Sequence, residues 1–126
     1  MNWLWVALGG AIGASLRYGA GIWLFKPSGL FPWATWIVNI LGCFAAGVFF
    51  AFSQKYPVLQ QEARLFLMVG ILGGFTTFSS FGLESFQLLK QGQMSLAFIY
   101  MASSVIVGVI ALIIGFYLTH SLLQQA

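Results

Sequence analysis

The side chains able to do polar chemistry fall in a few short stretches of an otherwise apolar chain. One stretch reads Gly73-Gly74-Phe75-Thr76-Thr77-Phe78-Ser79-Ser80-Phe81, with Glu84 and Ser85 just beyond it. At helical spacing Phe78, Phe81 and Ser85 share one face, and Thr77, Ser80 and Glu84 share the adjacent one. Two further stripes recur every four residues: Thr35, Asn39 and Cys43, then Tyr100, Ser104 and Gly108. The stripes offer neutral hydrogen-bond donors, and no ring of cations accompanies them. Donors without matching acceptors, set beside the electropositive edges of phenyl rings, suit a small dehydrated anion. The competing reading is plain packing: with 13 Phe in the chain, some align by chance and fill a core or face lipid.

Other chemistries lack their residues. His120 is the only histidine and Cys43 the only cysteine. That leaves no His-based metal site, no Ser/His/Asp triad, no cysteine cluster and no intrachain disulfide. No ATP-binding motif is present, and nothing supports an enzyme. Five Lys and Arg against two Asp and Glu give a net charge of +3. Cations so few and so scattered make no nucleic-acid footprint.

These residues must be positioned by membrane-spanning elements. Of the 126 residues, 60% are hydrophobic and only 6% charged, and the mean hydropathy is +0.95. A soluble domain is about 25% charged. Four apolar runs, at about 3–25, 31–53, 63–89 and 94–119, are each long enough to cross roughly 30 Å of hydrocarbon. They make residues 1–126 a single all-α, four-helix transmembrane domain with the lipid bilayer as its surroundings. The first run has no basic leader and is interrupted by Arg17, so it reads as a span and not as a cleaved signal peptide. The connections Lys26-Pro27-Ser28-Gly29, Gln54-Lys55-Tyr56-Pro57 and Lys90-Gln91-Gly92-Gln93 are short. Neighbouring helices therefore run antiparallel.

Loop charge gives this bundle almost no orientation. Lys55 and Arg64 fall on the side of the termini, Lys26 and Lys90 on the other, and Arg17 lies within the first span. The rule that places cations on the cytoplasmic side is nearly silent here. Either another feature sets the topology, or the chain inserts both ways and opposed copies pair. Four packed helices leave no aqueous route between them, so a transport path would lie between subunits. Gly9 with Gly13, Gly10 with Ala14, Gly42 with Ala46, Ser104 with Gly108 and Ala111 with Gly115 offer small-residue faces for such contacts.

The third span carries the most information. Paired glycines followed by β-branched and hydroxyl residues are poor continuous helix. They predict a mid-membrane break, with a half-helix restarting around Thr76 or Thr77, either of which can cap it. Irregular backbone at that depth must be buried in protein or line a polar cavity. Freed carbonyls would bind a small cation and half-helix amides would favour an anion; a kink patched by hydroxyls, with no ion, is the alternative.

Gly73–Phe81 closely resembles the GGxTTFSTF signature of the Fluc (CrcB) fluoride channels. The resemblance extends to Gly13-Ala14-Ser15-Leu16-Arg17-Tyr18 and Asn39-Ile40-Leu41-Gly42, and to length and layout, so it covers essentially the whole chain. It implies a passive fluoride channel in a bacterial-type cytoplasmic (inner) membrane, assembled as an antiparallel dual-topology homodimer with two pores. A structural Na+ at the dimer interface would be held by the backbone carbonyls of Gly73 and Thr76. Phe78, Phe81 and Asn39 would line the fluoride path, with Tyr100 and Ser104 as a helix-four track beside Thr35, Thr77 and Ser80. Arg17 would sit near a vestibule, and Glu84 would be hydrogen-bonded within the polar stripe. Ser80 replaces the usual Thr, and Gly108 offers no side chain where the hydroxyl track would continue. A small four-span multidrug exporter is the main rival reading. It relies on an acidic residue in the first span, where this chain has Arg17. A non-transporting helix-bundle subunit would leave the break and the donor stripes without a purpose.

Overall fold

The computed structural model describes residues 1–25 and 29–126, and every regular element among them is helical. Helix α1 covers Asn2–Leu24 and α2 covers Trp33–Lys55. A short 3-10 turn, Pro57–Gln60, leads into α3, a π-helix over Arg64–Leu72 that closes with one α turn, Gly73–Phe75. After the break come α4, Ser79–Lys90, and α5, Met94–Gln125. The connection at Lys26-Pro27-Ser28 lies outside the described residues.

Three of these segments, Trp33–Lys55, Arg64–Lys90 and Met94–Gln125, are long and apolar enough to cross a membrane. The chain is a multi-pass membrane protein. At 23 residues α1 is long enough too, but its glycines, its tryptophans and Arg17 make it less apolar than the others. The fourth helix runs past the expected end at Thr119 as far as Gln125. Its last carbonyls gain a cation: Lys55 Nζ donates to Leu123 O at 2.6 Å. That bond also puts the end of α2 beside the end of α5, so these two helices run parallel, as alternate spans of an up-and-down bundle do.

Two helix pairs build the body of the molecule: α1 lies along α3, and α2 along α5. Small residues set both approaches. A methyl group at Gly9 or Gly13 would strike the Phe66 or Ile71 carbonyl, and one at Gly47 or Gly115 would strike the Leu112 or Phe44 carbonyl. Of the glycines read as contacts between subunits, Gly9, Gly13, Gly42, Gly108 and Gly115 are therefore taken up inside one chain, while a methyl group at Gly10 would meet nothing within 4 Å. The reason is order of need: backbones in lipid approach closely only over small residues, and each chain must first pack its own helices.

The α4–α5 corner turns on Gly92, at φ 79°. Gly92 N–H donates to Leu89 O and Gln93 N–H to Leu88 O, the paired bonds of a Schellman motif whose left-handed position favours glycine. Beside this corner Leu88, Ala97 and Tyr100 form the buried core, with Phe31, Trp36 and Phe81 packed against it. This core fixes α4, the half-helix that follows the break.

Candidate functional site

The break falls where the glycines and threonines predict it. Helix α3 ends at Thr76, whose backbone is extended (φ −86°, ψ 161°), and α4 begins at Ser79, later than expected, with Phe78 in the cap position. Thr77 still does a cap's work, since its Oγ1 accepts from Ser80 N–H at 3.2 Å. Thr76 turns the other way: its N–H and its hydroxyl both donate to Leu72 O, at 3.0 and 2.8 Å.

Two other helices hold the irregular backbone. From α2, Asn39 Oδ1 accepts from Thr77 N–H at 2.9 Å, and Asn39 Nδ2 donates to Thr77 O at 3.0 Å. From α1, Arg17 Nε donates to Gly74 O at 3.0 Å. Backbone leaving a helix in a membrane needs replacement partners, and side chains provide them here. The 2.9 Å amide that Asn39 captures is the one that would otherwise close the helical bond to Gly73 O.

Two clefts flank the break and share Thr77. The first, about 460 Å³, is bordered by Asn39, Gly73, Thr76, Phe78, Phe81 and Ser104, with Cys43 beside them. Here Phe78 and Phe81 lie 5.8 Å apart between ring centroids. Phe78 is 84% exposed on the single chain. Ser104 Oγ is shielded from solvent and has no hydrogen-bond partner among the described residues. The second cleft, about 310 Å³, is bordered by Arg17, Thr35, Thr77 and Ser80. The Thr35, Asn39, Cys43 stripe is thus divided between the two clefts.

Tyr100 and Glu84 line neither cleft. Tyr100 is fully buried, in aromatic contact with Phe31 at 5.4 Å and Phe81 at 5.2 Å between centroids. Its hydroxyl donates to Glu84 Oε1 at 3.4 Å, with Thr35 beside both groups. The intramembrane acid is thus bonded across to the α5 stripe and not to Thr77 or Ser80 of its own. Sequence reasoning missed the Arg17–Gly74 bond, the double bond of Asn39 to Thr77, and the Trp36 Nε1–H to Ser103 Oγ bond at 2.9 Å. Each joins residues far apart in sequence, and the only trace is a polar residue at membrane depth facing a helix that must break.

Residues 4–116 match the sequence model of the family described as "CrcB-like protein, Camphor Resistance (CrcB)". The chain is 49% identical over 115 residues to the "Fluoride-specific ion channel FluC" of Chloroflexus aurantiacus, covering 90% of this chain and 91% of that one. It is 45% identical over 122 residues to the protein of the same name from Thermus thermophilus, covering 96% and 95%. With that of Hyphomonas neptunium it shares 48% over 122 residues, covering 94% and 95%. The chain belongs to the CrcB-like family.

Proposed function

We propose that this chain is a fluoride channel, a passive pore and not an enzyme. The observation that carries the proposal is the cleft at the break, where neutral donors and two phenyl rings meet with no lysine or arginine among them. Relatives at 45% to 49% identity carry the name of fluoride-specific channels. Fluoride is small and strongly hydrated, so donors such as the Asn39 amide and the hydroxyls of Thr77, Ser80, Ser104 and Thr35 must offset its desolvation. Nδ2 of Asn39 spends one N–H on Thr77 O, which leaves its second for an anion. Phenyl edges at Phe78 and Phe81 add weak electropositive contact without the trap a lysine would create. Tyr100 backs Phe81 and holds Glu84, and Arg17 borders the second cleft as a vestibule cation. Fluoride that enters as HF and dissociates in a neutral cytoplasm is then exported by the membrane potential, with no coupled energy source.

The assembly we propose is an antiparallel homodimer with two pores in a bacterial cytoplasmic membrane. Its support is the open side of the first cleft, where Gly73 and Phe78 are exposed on one chain, and the even split of loop cations. A structural Na+ fits the break. The carbonyls of Leu72, Gly74 and Thr77 are hydrogen-bonded, while Thr77 N–H is diverted from Gly73 O. The Gly73 and Thr76 carbonyls would hold the ion, as neutral oxygen donors do for a hard cation. Bound there, Na+ would offset the carbonyl dipoles freed at the break.

Liposomes loaded with fluoride and carrying the purified protein test the proposal with an ion-selective electrode. Fluoride leaves and chloride stays; retained fluoride would overturn it. Reporters fused to the C-terminus should read out on both faces of the membrane, and a one-sided result would refute dual insertion.

A further inference from the structure

We infer that Asn39 is a positioning residue for the cation site: by occupying both backbone groups of Thr77 it keeps the Gly73 carbonyl out of the helical ladder. The inference rests on the sodium reading above and adds a residue to it. An unbroken helix joins each N–H to the carbonyl four residues earlier. In the α turn that closes α3 this pattern reaches Thr76 N–H to Leu72 O, at 3.0 Å. The next bond would be Thr77 N–H to Gly73 O. Asn39 Oδ1 takes that amide at 2.9 Å, and Asn39 Nδ2 satisfies the Thr77 carbonyl at 3.0 Å. One side chain thus replaces both backbone hydrogen bonds that Thr77 gives up at membrane depth, where an unpaired group is costly.

Three nearby carbonyls are already taken. Leu72 O accepts from the Thr76 amide and hydroxyl, Gly74 O from Arg17, and Phe78 O from Gly82 N–H at 2.9 Å. Among the described residues the diverted amide is what leaves Gly73 O open, and Gly73 is exposed on the wall of the first cleft. The task needs one acceptor and one donor on a short planar group, which an amide has. Asp retains the acceptor for Thr77 N–H, and Leu retains neither. Asn39 keeps a second N–H for the anion proposed above, so one residue would serve both ion sites.

The test reads sodium binding directly, as the Na+-dependent rise in unfolding midpoint of the purified full-length protein, with N-methylglucamine as the control cation. Asn39→Leu frees Thr77 N–H to return to Gly73 O, and should raise the half-saturating sodium concentration about tenfold or more. Asn39→Asp keeps the acceptor but loses the donor to Thr77 O, so it should hold sodium more tightly than Asn39→Leu; if it weakens to the Asn39→Leu level, the clamp is overturned. Ser104→Ala, in the same cleft but off the ladder, should bind sodium normally while fluoride efflux falls. An Asn39→Leu protein with the wild-type sodium response would overturn the inference and leave the sodium site standing. A wild type with no sodium response would overturn the sodium site itself.

Discussion

Arg17 reaches from α1 to the last turn before the break and donates from Nε to the Gly74 carbonyl at 3.0 Å. Arg17 is the sole charged side chain of α1, and a guanidinium at this depth persists only where partners satisfy it. Removing it strands Gly74 O and uncouples α1 from the break. Arg17→Ala should lower stability by about 1.5–3 kcal/mol, the range for a hydrogen bond to a charged group. Arg17→Lys should recover only part of this, because an ammonium lacks the planar fork. Thermal unfolding of the purified protein checks both, and an Ala variant of wild-type stability would show the contact to be idle.

The glycines of α1 and α2 divide by what their missing side chains would meet. A methyl group at Gly13 or Gly47 collides with the backbone carbonyl of Ile71 or Leu112, whereas nothing lies within 4 Å of one at Gly19. Backbone cannot swing aside as a side-chain end can, so the helix pairs must separate. Gly13→Ala and Gly47→Ala should each cost roughly 1–3 kcal/mol, as overpacking does, and reduce the yield of monodisperse protein. Gly19→Ala should be neutral or slightly stabilising, since Ala is the better helix former. Equal behaviour of all three on size exclusion would contradict this packing.

Much of this arrangement is legible in the residues because each feature has a local cause. Gly73-Gly74 followed by Thr76-Thr77 cannot sustain a helix, and the break sits there; Gly92 stops α4 through a left-handed turn. The Phe78 and Phe81 rings meet because three residues of helix bring them to one face. What escaped was set by tertiary partners. The π-helical winding of Arg64–Leu72 has no distinctive composition. Phe78 takes the cap position because Asn39 holds Thr77 in place from another helix. Small-residue spacing marks a close approach but not its partner, so it does not reveal that Gly9 and Gly13 meet α3 of their own chain.

Phe78 and Phe81 should separate when substituted singly. Phe81 packs on buried Tyr100 at 5.2 Å, whereas Phe78 is 84% exposed on one chain. Phe81→Ile should therefore lose about 0.5–1.5 kcal/mol of stability along with its aromatic contact. Phe78→Ile should leave the unfolding midpoint of the chain nearly unchanged. Both should slow fluoride efflux from liposomes, by roughly tenfold where about 1.4 kcal/mol of ring-edge stabilisation is lost. Normal efflux through Phe78→Ile would remove that ring from the path.

Ser104 offers the sharpest separation of folding from transport. Its Oγ is shielded from solvent, borders the first cleft and has no hydrogen-bond partner among the described residues. A buried hydroxyl left unpaired costs about 1–3 kcal/mol, so on packing grounds alone Ser104→Ala should be neutral or stabilising. The chain's own hydrogen bonds give this donor no partner, and the anion of the proposed path would supply one. We expect Ser104→Ala to unfold at or above the wild-type midpoint while fluoride efflux falls several-fold. Ser103→Ala, which loses the 2.9 Å bond from Trp36, should show the reverse: lower stability with efflux per folded protein preserved. If Ser104→Ala keeps full efflux, the hydroxyl is a packing residue and the donor track ends at Asn39 and Thr77.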